Sequence, residues 1–306
     1  MNHSHLDYLK EVSDPYNTGS TTARRGLMIG GEWHDDIYEY IEEREIRALY
    51  INSAQGWVGN DFSFLDKLST IEELSIINKS ASNLDAIESM QALESVQLTC
   101  DTQSVVDFSR LPSLQDCYIY WWAGAESIFE AKNLRGAYFD KIADKDLARL
   151  KDLQRLKKLT IANSNVASLQ PLCAVRELSE LELLNCRRLS DFEYLPELVS
   201  LRRLTIRGSK NLSDLEVVGS LRDLEVLVIS DNKDIGSLKP LAKMTELKAL
   251  AFAGNTIITD GDLSVLTKLP KLSMLMFASR RHYTHKLVKN WNWNNFDQPD
   301  TLLQEK

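Results

Sequence analysis

One pattern of apolar and polar positions, apolar-x-x-apolar-x-apolar, recurs along most of the chain. It reads IRALYI at 46–51, IEELSI at 71–76, LESVQL at 93–98, LQDCYI at 114–119, LRGAYF at 134–139 and LKKLTI at 156–161. It continues as LSELEL at 178–183, LRRLTI at 201–206, LEVLVI at 224–229, LKALAF at 247–252 and LSMLMF at 272–277. With the fourth position as marker, the series is Leu49, Leu74, Val96, Cys117, Ala137, Leu159, Leu181, Leu204, Leu227, Leu250 and Leu275, at intervals of 20 to 25 residues. A second apolar series follows each strand in the later copies, as in Leu189/Phe192/Leu195, Leu212/Leu215/Val218 and Ile235/Leu238/Leu241. Such a unit is a short strand, a turn and a return segment that cannot bury its apolar side alone, so the core comes from stacking.

On these residues the sequence resembles the leucine-rich repeat family, especially its short-unit, internalin-like bacterial class, over about residues 46–279. The resemblance implies an α/β solenoid: a leucine-rich repeat horseshoe or arc with one parallel β-sheet on its concave face and short helical, 3-10 or extended return segments. Where the family places Asn or another small polar residue to bond the turn backbone, this chain has Ser164, Cys186, Ser209, Asn232 and Asn255. Earlier units depart, with Lys79, Asp101, Trp122 and Lys141 at that position, so the N-terminal half should be less regular.

A stack of repeats leaves two apolar ends that need covers. The expected division is a flexible N-terminal arm at 1–25, an N-terminal cap at 26–45, eleven repeats at 46–279, and a C-terminal cap and tail at 280–306, with 297–306 flexible. In the N-terminal cap, Asp35 or Asp36 can cap a helix that carries Ile37, Tyr40 and Ile41 on one face. Trp291, Trp293 and Phe296 are the candidate cover at the other end.

Strand side chains alternate between faces, which sorts the stretch CYIYWWAG at 117–124. Cys117 and Ile119 point inward, and Tyr118 and Tyr120 point out; Tyr138 shares a column with Tyr118, and Asp140 with Tyr120. Trp122 falls on the small-polar position and is too large for it. The small markers Cys117 and Ala137 leave volume that Trp122 or Phe129 can fill. Exposed aromatics are the residue type enriched at interface hot spots. The candidate partner-binding set is therefore Tyr118, Tyr120, Trp121, Tyr138, Asp140, Lys158, Glu180, Glu182, Arg203 and Arg207. Glu180 and Glu182 beside Arg203 and Arg207 read as a solvated cross-strand ion-pair network. The last three rungs, Val226/Val228/Ser230, Ala249/Ala251/Ala253 and Met274/Met276/Ala278, are apolar: a contact patch, or a face covered by the chain's own C-terminal segment.

Composition and charge narrow the function. The 306 residues carry a net charge of −8, which disfavours nucleic acid as a partner and favours steering toward a basic protein. Seven acids against one base fall between Glu32 and Glu45, while Arg280, Arg281, Lys286 and Lys289 sit at the opposite end. With no secretory h-region and no membrane-length apolar run, a cytoplasmic location is expected. Cys100, Cys117, Cys173 and Cys186 lack metal or disulfide spacing and read as reduced, buried residues. His282 and His285 stand three apart in HYTH with no third ligand nearby; no phosphate loop, nucleophile elbow or zinc helix motif occurs. No cofactor, no metal and no enzyme activity are expected.

The resemblance implies a non-catalytic solenoid that holds a partner protein in its concave face, with a monomer favoured. A finer expectation is an intracellular inhibitor, such as an immunity protein that neutralises a bacterial toxin. The alternatives are a regulatory or scaffold subunit, or an effector recognition module acting with a separate enzyme.

Overall fold

A computed structural model of the chain describes residues 7–13, 24–287 and 303–305. These residues form two compact units that divide between Phe139 and Asp140.

Unit 1 opens with β1 (Leu9–Val12), antiparallel to β2 (Gly26–Ile29). From β2 onward the strands run parallel and in sequence order: β3 (Ala48–Asn52), β4 (Glu73–Ala81), β5 (Ser95–Thr102) and β6 (Asp116–Tyr120), with β7 (Gly136–Asp140) beside β6. The register sets marker on marker, Leu27 on Leu49, Leu49 on Leu74, Leu74 on Val96 and Val96 on Cys117. A slip of one residue would turn every one of these side chains into water, which is why the apolar pattern fixes the pairing. Leu27 thus makes a rung inside the segment read as a cap, and β1 lies in the segment read as a flexible arm.

The cap helix α1 (Asp36–Glu43) buries Ile37 and Ile41. Asp35 stands at its N-cap in helical geometry and makes no side-chain cap bond, unlike the expected cap. Tyr40 is only half-buried, because its hydroxyl turns to Glu11 of β1 and donates to Oε1 at 3.0 Å. The irregularity expected of the early units takes the form of long strands: β4 and β5 lose register between Ile77 and Ser80.

Unit 2 carries the regular repeats, β8 (Lys158–Ala162), β9 (Glu180–Leu184), β10 (Arg203–Arg207), β11 (Val226–Ser230), β12 (Ala249–Ala253) and β13 (Met274–Phe277), all parallel and in order. Again Leu159, Leu181, Leu204, Leu227, Leu250 and Leu275 stand side by side. The return segments are mostly short 3-10 turns, such as Gln170–Ala174, Leu195–Glu197 and Lys239–Lys243. Each of these three has proline in its first turn, where a missing N–H costs nothing. One short helix, α2 (Glu216–Gly219), replaces such a turn. The core is the inward face of the strands plus the return leucines, with Leu204, Ile206, Leu215, Leu227 and Leu238 fully buried.

Two polar columns finish each turn of unit 2. Four residues after each marker stand Lys141, Asn163, Asn185, Gly208, Asp231 and Gly254, all left-handed with φ from +49° to +70°. Asn, Asp and Gly tolerate that conformation best. At Gly208 and Gly254 there is a second demand, since a Cβ would come 2.5 Å from Asn185 Oδ1 and 2.0 Å from Asp231 Oδ1. The next column is the buried ladder. Asn232 Nδ2 donates to the Ile206 carbonyl at 2.7 Å, and its Oδ1 accepts from the Ser209 amide at 2.8 Å. Ser164 Oγ donates to the Ala162 carbonyl at 2.7 Å, and Cys186 Sγ lies 3.4 Å from the Ile161 carbonyl. The last member is Thr256, buried and accepting from the Asn232 amide at 2.9 Å. Asn255, the residue expected there, is exposed: this turn holds one residue more before it re-enters the core.

The cover expected from Trp291, Trp293 and Phe296 lies outside the described residues. Among the described residues, Tyr283 closes the last unit, 2% exposed, with its ring edge-on to Phe252 and Phe277. Its hydroxyl accepts from the Ile258 amide at 3.0 Å, and His282 Nε2 meets the Ile258 carbonyl at 2.9 Å. A two-stranded ribbon of β14 (His285–Leu287) and β15 (Leu303–Glu305) follows, the latter within the tail read as flexible.

Candidate functional site

In unit 1 the candidate residues gather on β6 and β7. Tyr118 and Tyr138 stack, ring centroids 4.0 Å apart and planes 9° from parallel. Both are half-buried, as is Tyr120. The stack forms because alternation sends both residues to the open face at one register position, and the rungs are a stacking distance apart. Asp116 precedes Tyr118 on the same face and is exposed. A Cβ at Gly136 would stand 2.2 Å from Asp116 Oδ1, so the absent side chain leaves the carboxylate its room. Asp116 and Gly136 were not among the expected site residues; an outward acid beside a glycine on the next rung was the signal.

Trp121 departs from the expected role. Its ring packs at 5.6 Å on Phe129 and at 5.6 Å, edge-on, against Phe139. The strand parity that sends Tyr120 out sends Trp121 in, and the small markers Cys117 and Ala137 leave the volume that Phe129, fully buried, and Trp121 share. Trp122 is half-buried and lends its indole N–H to the Ser104 carbonyl at 2.7 Å. The same carbonyl would stand 2.1 Å from a Cβ at Gly124. The aromatic cluster is therefore divided: two tyrosines and Tyr138 face out, and two tryptophans serve packing and the turn.

In unit 2 the candidates divide again. Asp140 belongs to the turn column, where its Oδ1 accepts from Asn163 Nδ2 at 3.0 Å, and Asn185 Nδ2 in turn donates to Asn163 Oδ1 at 3.0 Å. Lys158 pairs with Glu180 at 3.6 Å, and Thr160 donates to Glu182 at 3.2 Å. The expected pairing of these glutamates with arginines is not what the side chains do. Arg203 stands directly beside Glu180 in the ladder, yet among the described residues neither Arg203 nor Arg207 makes an ion pair, and both are exposed. Glu180 has cations on both flanking rungs and takes the lysine.

The chemistry of catalysis is thin on these faces. Among the described residues no group of three His, Cys, Asp or Glu side chains is placed to hold a metal ion, and no helix is long and apolar enough to cross a membrane. His3 and His5 lie outside the described residues; His282 serves the turn described above. All four cysteines are thiols. Burial pushes the Cys100 thiol up to about 12 and the Cys186 thiol up to about 11, and raises those of Cys117 and Cys173 as well, the opposite of what a nucleophile needs.

The architecture is that of a strand-and-turn solenoid. No protein-family model matches the chain, and no curated protein does. Solved structures do. An internalin from Listeria monocytogenes is 19% identical over 83% of this chain and 87% of its own, with a TM-score of 0.50. A plant peptide hormone receptor solved in complex with RGF2 is 12% identical over 83% of this chain and 51% of its own, with a TM-score of 0.50. These likenesses are of fold, and the fold is the leucine-rich repeat.

Proposed function

We propose that this chain is a non-catalytic protein-binding solenoid, and that its open strand face in unit 1 holds a partner protein through Tyr118, Tyr138, Tyr120 and Asp116. The observation that carries the reading is the Tyr118–Tyr138 stack. Two amphipathic rings already fixed against each other lose little freedom on binding, and part of their surface is still open to a contact. Asp116 beside them and the net charge of −8 favour a basic partner.

The finer reading is an inhibitor of the immunity-protein kind, acting in the cytoplasm on a toxin with a basic surface. Four free thiols support a reducing compartment. The test is affinity purification of the tagged chain from its own host, with mass spectrometry, beside a Tyr118→Ala/Tyr120→Ala/Tyr138→Ala variant. A basic, toxin-like protein encoded next to this chain, held by the native form and lost from the variant, is the expected result. The same protein held by both forms would move the site elsewhere, and an acidic partner insensitive to salt would end the inhibitor reading.

A further inference from the structure

The open face of unit 2 has a character of its own. On β10, Arg203 and Arg207 point out from one strand with Thr205 between them. Four residues of extended chain separate their backbones by about 13 Å. The nearby acids have other first partners: Glu180 pairs with Lys158 at 3.6 Å, Glu182 accepts from the Thr160 hydroxyl at 3.2 Å and keeps its charge, and Glu225 pairs with Lys248 at 2.8 Å while also feeling the charge of Arg203. The next strand sets Val226 beside Arg203 and Val228 beside Thr205, both half-buried. The apolar character continues to Met276, 37% exposed. Two exposed guanidinium groups that make no ion pair among the described residues, bordered by aliphatic side chains, are the complement of an acidic and apolar surface.

We infer that the open face of unit 2 is a second docking surface, which takes an acidic segment of a partner protein: two carboxylates spaced to meet Arg203 and Arg207, with aliphatic side chains resting on Val226 and Val228. This inference goes beyond the reading above and stands apart from it, because the tyrosines belong to the other unit and favour the opposite charge.

Fluorescence anisotropy with the full chain tests it. The probes are two labelled peptides of equal length, one with glutamates four residues apart and valines between them, the other with lysines in place of the glutamates. The acidic peptide is expected to bind and to weaken as salt is added. Arg203→Glu/Arg207→Glu should weaken it by about tenfold or more, while Tyr118→Ala/Tyr138→Ala should leave it unchanged. Both arginines are exposed, and a thermal melt equal to that of the native chain confirms that the variant is folded. Equal binding of both peptides, binding of neither, or undiminished binding by the arginine variant would each overturn the inference. So would concentration-dependent sedimentation abolished by the double variant, which would give this face to a second copy of the chain.

Discussion

Tyr118 and Tyr138, twenty residues apart in sequence, lie ring on ring at 4.0 Å, so the contact that defines the open face of unit 1 is made by the repeat itself. The stack is worth about 1 kcal/mol beyond the area it buries. Tyr118→Ala/Tyr138→Ala should therefore lower stability modestly in a urea melt while abolishing capture of the partner. Trp121→Ala should do the reverse, costing about 3 kcal/mol because its ring packs on Phe129 and Phe139. Equal destabilisation by both variants would mean that the tyrosines belong to the core.

Asn232 joins three successive repeats of unit 2 through one side chain and its own amide. Asn232→Ala strands the Ile206 carbonyl and the Ser209 amide in a buried turn, and should cost about 2 to 3 kcal/mol in urea unfolding. Asn255→Ala should cost less than about 0.5 kcal/mol, since Asn255 is exposed and, among the described residues, bonds through its backbone amide, to Asp231 Oδ1 at 3.2 Å. The contrast separates the observed ladder from the one that strict repeat spacing gives.

Leu204 and Leu227 are fully buried side by side. Either one replaced by alanine should cost about 2 to 5 kcal/mol, measured by the same unfolding curve. A loss below about 0.5 kcal/mol would contradict the packing of the markers.

Acid should loosen the N-terminal edge of unit 1. Burial raises the Glu11 carboxyl, but hydrogen bonds from Tyr40 and Arg25 and the charges of Arg25 and Arg44 outweigh it, leaving the group below its ordinary value. A carboxyl depressed in the folded state stabilises above its unfolded pKa, about 4.3, and that support is lost as pH falls through the folded value. Thermal melts from pH 7 downward should show stability declining in the acid range, and Glu11→Gln should flatten that decline. Parallel slopes in the two proteins would rule Glu11 out as a contributor.

The cysteines give a chemical check on burial. At neutral pH a thiol-exchange reagent should react slowly with the native chain, fastest at the half-buried Cys173, and with all four thiols once urea is added. Rapid reaction at Cys117 or Cys186 in the native state would show that those units open readily.

What the sequence made legible follows from periodicity. Leu204, Leu227 and their neighbours recur in register, so the strands, the parallel pairing and the two faces could be read without coordinates. Tyr118 and Tyr138 were legible for the same reason, as two outward residues in one column. Reading failed where a local choice overrode the period. β1 has the sequence LKEV, too short to show a pattern. Thr256 replaced Asn255 because one extra residue entered a turn. Glu180 chose Lys158 over Arg203, and ladder register alone ranks neither cation. Trp121 was read with the tyrosines beside it, although parity already sent it inward.

The ladder through Asn232 has a mechanical meaning. A strand of unit 2 bonds only to the strand on either side, so a chain pulled from its end gives up its rungs in succession, like a zip. Asn232 holds the Ile206 carbonyl behind it and meets Thr256 ahead of it, so at that point the turn adds bonds to those of the strands on both sides. Unzipping that reaches this rung should therefore slow there, since turn bonds must break along with those of the strands.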